Sequence, residues 1–135
     1  MSQKMKYKRI SSKEKGRTSE EIITNYLVSK KYKILERNFR TNFGEIDIIA
    51  EKNDYLIFIE VKSQFKRGGF LAEERINREK REKIFKVAKY FLIKNFGKLS
   101  KIKGIRFDVI VFEFPKGEIR HYESAFYQER DFNRY

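Results

Sequence analysis

A chain of 135 residues with 40% hydrophobic and 16% aromatic content is one ordinary domain with a continuous core, so its 38% charged residues coat a folded body and not a disordered one. The 32 Lys and Arg against 19 Asp and Glu leave a formal +13 that selects polyanions as partners, nucleic acid before an anionic membrane. No apolar run nears the roughly 18 residues of a spanning helix and the N-terminus lacks a signal-peptide stretch, so a soluble cytoplasmic protein without a membrane partner is expected. Absence of Cys excludes disulfides, thiolate zinc sites and cysteine nucleophiles; with His121 the single histidine, any metal falls to oxygen ligands, which favours Mg²⁺ or Mn²⁺.

Residues 1–15 read as a mobile basic arm, continued by Arg17; Lys13, Lys15 and Arg17 are candidates for phosphate contact, the alternative being a solvated tail. Thr18 and Glu21 have the spacing of a capping box and predict a helix start there, followed by the stripe Ile22, Ile23, Tyr26 and Leu27. Glu20 falls on the buried side of that stripe, where a carboxylate is out of place. "YKILERNF" alternates like a strand, and "GEIDIIAEKNDYLIFIEVK" reads as two further strands joined by a tight turn. "KSQFKRGGFLAEER" follows as a glycine-containing loop, with Lys66 and Arg67 placed for phosphate contact or for plain surface. The spacing of Ile84, Val87, Ala88, Phe91 and Leu92 predicts a second helix from about Ile76 to Asn95 with Lys and Arg on its other face. "GIRFDVIVFEF" is a long apolar strand ending at Pro115, paired with "EIRHYESAF" across a turn at 115–117. The order α-β-β-β-α-β-β predicts an α/β or α+β domain with a mixed central β-sheet flanked by helices, over residues 16–126, with 127–135 as a tail.

The strand pair carries the chemistry. A two-residue turn at Asn53 and Asp54 sets Lys52 opposite Tyr55, and counting back in antiparallel register puts Asp47 opposite Glu60, with Lys62 on the same face one step beyond. Two carboxylates about 5 Å apart repel by roughly 3 kcal/mol at an effective dielectric near 20. Lys62 offsets that in part as a salt bridge; a divalent cation offsets it more completely. Asp47 and Glu60 are hard oxygen ligands for Mg²⁺, Lys62 a positive charge for orienting water or steadying a pentavalent phosphate, and Glu20 a helix carboxylate nearby, which together supply the parts of a metal-dependent phosphodiesterase.

These residues resemble the D…ExK signature of the restriction-endonuclease-like superfamily, and "GRTSEEIITNYL", "ERNFR", "GEIDIIA", "FIEVK", "RFDVI" and "SAF" resemble, in order, the blocks of the YraN family of uncharacterised predicted nucleases. The resemblance implies a fold like that of archaeal Holliday-junction resolvases, with Glu20, Asp47 and Glu60 as metal ligands and Lys62 as the catalytic lysine. It implies an Mg²⁺- or Mn²⁺-dependent DNA endonuclease, selective for branched or distorted DNA, and a homodimer; the alternatives are a non-catalytic nucleic-acid-binding module that keeps the nuclease fold and a basic RNA- or ribosome-associated protein. Ser19 and Ile23 replace the usual Gly and Ala, and Gln64 replaces an Arg. Asp108, Lys80 and His121 are expected to serve the fold or surface, Asp108 through an ion pair with Arg106 or a lysine.

Overall fold

The computed structural model describes residues 11–65 and 76–127. Helix α1 (Ser12–Ser29) is followed by strands β1 (Lys33–Thr41), β2 (Gly44–Lys52) and β3 (Tyr55–Phe65), helix α2 (Arg78–Lys94), a short 3-10 turn, and strands β4 (Gly104–Phe114) and β5 (Glu118–Phe126). The strands lie side by side in chain order. All pairs are antiparallel except β3 with β4, whose connection contains α2. The expected mixed α+β order is therefore observed.

One start differs. The first helix begins six residues before Thr18, because Ser11 takes the N-cap and its side chain accepts from the Glu14 N–H at 3.1 Å. Thr18 and Glu21 are interior helical residues, and Lys13, Lys15 and Arg17 belong to the helix. Residues 1–10 of the expected arm, Lys66 and Arg67 of the expected loop, and residues 128–135 of the tail lie outside the described residues. Lys62 lies in β3, as the hairpin reading requires, and Ser63, Gln64 and Phe65 of the expected loop extend the same strand.

Helices cover both faces of the sheet, which explains the near-continuous apolar runs of β2, β3 and β4. On one face Ile23 and Leu27 of α1 pack on Ile48, Ala50, Ile57 and Ile59. On the other, Ile84, Val87, Ala88 and Phe91 of α2 pack on Ile49, Leu56, Phe58 and Val109. The β2–β3 turn is as expected: Asn53 (φ 54°) and Asp54 (φ 66°) are both left-handed, the backbone that matches the twist of a two-residue hairpin.

Candidate active site

The ladder between β2 and β3 runs from Lys52↔Tyr55 to Ile48↔Ile59, and its continuation sets Asp47 against Glu60, as the hairpin count requires. The pairing does not continue as a regular strand. Ile46 joins Ile49 in the core beneath α2 while Ile48 lies in the core beneath α1, a spacing that simple alternation forbids. The irregularity falls at Asp47, flanked on β1 by Asn38, a non-glycine residue held at φ 53° between the pairs Phe39↔Ile46 and Arg37↔Ile48. The backbone kink lets Asp47 turn inward, where its Oδ2 accepts the Val61 N–H at 2.8 Å.

Asp47 is thereby half-buried against Glu60, itself only 8% exposed. Burial, then the negative charge of Glu60, pushes the Asp47 carboxyl up to about 8; the Val61 N–H opposes this, while Glu20 and a hydrogen bond to Glu60 add to it. Glu20 stands one step away on α1, raised by burial and restrained by a hydrogen bond with Asn38 and by Arg37, whose guanidinium is 4.0 Å distant. Lys62, half-buried on β3, is lowered by burial and by the neighbouring Lys80, against the pull of Glu60 and Asp47. The structure thus brings Asp47 and Glu60 into contact, with Lys62 and Glu20 inside their electrostatic field.

Among the described residues no three of His, Cys, Asp and Glu close into a cage for an ion. The donor set nonetheless suits a hard divalent cation, which takes oxygen ligands such as the adjoining carboxyl groups of Asp47 and Glu60. A shallow recess lined by Ile46, Phe58, Ile84 and Phe126 borders Glu60 and keeps that side of the pair apolar.

One contact at the pair was not foreseen from the sequence. Lys80, assigned to fold or surface, places its Nζ on Glu60 Oε2. Its signal was electrostatic: Arg78, Lys80 and Arg81 crowd the first turn of α2, the end of a helix at which the macrodipole disfavours cations, so an anion is called for. Lys13 and Arg17 are exposed on α1. Ser19 is fully buried and accepts from the Ser63 hydroxyl at 2.6 Å, tying α1 to β3 beside Lys62.

Asp108 makes the expected ion pair with Arg106. Fully buried, it accepts two bonds of 2.8 Å from Arg106, one of 2.7 Å from His121 Nε2 and one of 3.0 Å from the Ser124 N–H. Nδ1 of His121 lies 3.1 Å from the Tyr26 hydroxyl, so this network joins α1 to β4 and β5.

Fold and site together define a mixed α+β domain with a buried carboxylate pair and lysine at the kinked end of a hairpin. The pattern of UPF0102, an uncharacterised protein family, matches residues 19–112, and the chain belongs to that family, in keeping with its YraN resemblance. It is 44% identical to a UPF0102 protein of Clostridioides difficile over 87% of this chain and 100% of the relative. It is 41% identical to one of Thermodesulfovibrio yellowstonii over 84% of this chain and 96% of the relative, and 42% identical to one of Persephonella marina over 83% and 92%. Among the described residues no helix is long and apolar enough to cross a membrane.

Proposed function

We propose that the chain is a metal-dependent endonuclease that hydrolyses phosphodiester bonds in DNA, with branched or otherwise distorted DNA as its preferred substrate. The observation that carries this reading is the Asp47–Glu60 pair: two carboxylates pressed together in a half-buried crevice, one of them raised to about 8, next to a partly desolvated lysine. Such clustering of perturbed groups is a mark of a functional site. Asp47 and Glu60 would hold Mg²⁺ or Mn²⁺, with Glu20 as an outer carboxylate. When bound, the ion makes water a better nucleophile and offsets charge on the phosphate.

The chain's own residues do the rest. The Val61 N–H fixes the Asp47 carboxylate in orientation, and the apolar wall at Phe58 and Ile84 keeps bulk water from Glu60. Lys62 Nζ, lowered by burial and Lys80, would orient an attacking water or meet a phosphoryl oxygen. A homodimer would present two such centres to one branched substrate, and sedimentation of the protein tests it.

One contact favours a second reading. Lys80 already occupies Glu60, which suits a nucleic-acid-binding module that keeps this fold and does not cut. Incubating the protein with linear, flapped and four-way DNA in Mn²⁺ or Mg²⁺ separates the two. The nuclease reading requires cleavage that excess chelator stops and Asp47→Asn abolishes. Binding without cleavage under every condition supports the module, and cleavage that survives Asp47→Asn removes this site from the chemistry.

A further inference from the structure

The positive charge is unevenly spread. Across Arg78–Lys94, α2 carries seven Lys and Arg against two Glu, whereas α1 carries three of each. Its buried residues Ile84, Val87, Ala88 and Phe91 face the sheet. Lys83, Lys86 and Tyr90 follow one another at helical spacing along a single exposed flank. The β1–β2 turn lies against that flank: a Cβ built on Gly44 would stand 3.8 Å from both Lys83 Cβ and Val87 Cγ2.

Two aromatic rings stand open on this flank. Phe43, in the turn, is 49% exposed and belongs to neither core; Tyr90 is 46% exposed, its ring tilted 40° to that of Phe39 at 6.2 Å between centroids. Lys86 Nζ lies 5.9 Å from the Phe43 ring centroid. A tight turn has no folding need for Phe, since such turns favour Asn, Gly and Asp. Lys83 is one turn from Lys80, which touches Glu60, so the flank runs continuously to the carboxylate pair.

We propose that Phe43 and Tyr90, framed by Lys83 and Lys86, form a stacking platform for unpaired DNA nucleotides that leads a single-stranded segment toward Asp47 and Glu60. The proposal deepens the nuclease reading and rests on it for the identity of the polymer. Each nucleotide offers a flat π-face and one negative charge, and this flank offers rings interleaved with ammonium groups. Base–aromatic stacking of this kind tolerates any sequence. In a duplex the π-faces are hidden in the stack, so the platform discriminates by pairing state. A second copy of the chain is a poor occupant, because a two-fold contact through this flank would set one cationic patch against the same cationic patch.

The test measures binding in chelator, so that it does not depend on cleavage. Phe43→Leu with Tyr90→Leu keeps apolar contact with the helix but removes both rings. Affinity for oligothymidylate should fall roughly tenfold or more, while affinity for a blunt duplex should change less than about threefold. Equal loss on both, or no loss on oligothymidylate, overturns the platform. The chain contains no Trp, so Phe43→Trp gives a lone indole reporter whose emission should be quenched by oligothymidylate and not by duplex. An unquenched indole at saturation overturns the proposal even if the double variant proves unstable. Stronger quenching by oligouridylate at lower concentration would overturn the assignment to DNA. Wild-type protein that binds no nucleic acid takes the nuclease reading down as well; wild-type protein that cuts DNA while the ring variant binds normally takes down the platform alone.

Discussion

Asp47 and Asp108 are inward-facing aspartates with opposite electrostatic fates. For Asp47, burial and Glu60 raise the folded pKa from 3.8 to about 8, so the folded state keeps a proton that the unfolded chain has released. Its contribution is fully present below the unfolded value and is lost as pH rises through the folded one. Metal-free protein should therefore lose stability between about pH 4 and pH 8, by up to about 1.4 kcal/mol per pH unit. Asp47→Asn should flatten that loss, and urea midpoints across pH in chelator measure it. For Asp108, burial acts to raise the carboxyl, but the bonds from His121, Arg106 and the Ser124 N–H outweigh it and hold it below the usual range. Its contribution is present above the unfolded value and is lost as pH falls through the folded one. Asp108→Asn should cost about 3 to 5 kcal/mol near neutrality, because it leaves the Arg106 guanidinium without its buried counter-charge. The same two variants separate site from scaffold with metal present. Mn²⁺ at about 100 times its dissociation constant should stabilise wild-type protein by about 2.7 kcal/mol, a gain read as a rise in melting temperature that Asp47→Asn cancels.

At the scale of elements, the hairpin register was legible because a two-residue turn fixes it outright, and with it the approach of Asp47 to Glu60. The kink at Asn38 was not. Nothing in "ERNFR" distinguishes an Asn at φ 53° from one in regular strand, and the choice depends on Ile46 and Phe39 both entering the core beneath α2. The same limit hid Lys80, whose contact with Glu60 exists only once α2 is packed on the sheet. The start of α1 was misplaced for a local reason: Ser11 and Thr18 are both competent caps, and Ser11 won. The kink makes its own prediction. Asn38→Gly relieves the left-handed backbone but deletes the hydrogen bond to Glu20, whereas Asn38→Val meets a conformation hostile to β-branched residues. Thermal melts should put Asn38→Gly near wild type and Asn38→Val about 1 to 2 kcal/mol below it.

Taken as a whole, the molecule segregates its charge: α2 has a net excess of five cations and α1 none. DNA binding should therefore depend steeply on salt, and the dependence should map to α2. Each duplex phosphate contact contributes about 0.9 to the slope of log K against log salt. Changing Lys83, Lys86 and Lys89 together to Gln should flatten the slope by up to roughly 2.7 if all three reach phosphates, and Lys13→Gln with Arg17→Gln should flatten it less. Salt titrations of both variants on one duplex make the comparison, and equal slopes would place the electrostatic contact elsewhere.

The parallel pairing of β3 with β4 carries a further consequence, for the order in which the chain folds. Every partner pair from Tyr55↔Gly104 to Phe65↔Phe114 is separated by 49 residues, whereas β1, β2 and β3 are joined by short turns. The three-strand meander closes small loops and has the kinetic advantage; β4 must close a long one before it gains anything. Until then the β3 edge, with Leu56, Ile57, Phe58 and Ile59 in sequence, is an apolar strand with unpaired backbone groups, a template for association with other chains. Ile110→Val in β4 should then chiefly speed unfolding, while Ile48→Val in β2 should chiefly slow folding. During synthesis the meander emerges first, so the interval before β4 appears is when the nascent chain most needs protection from aggregation.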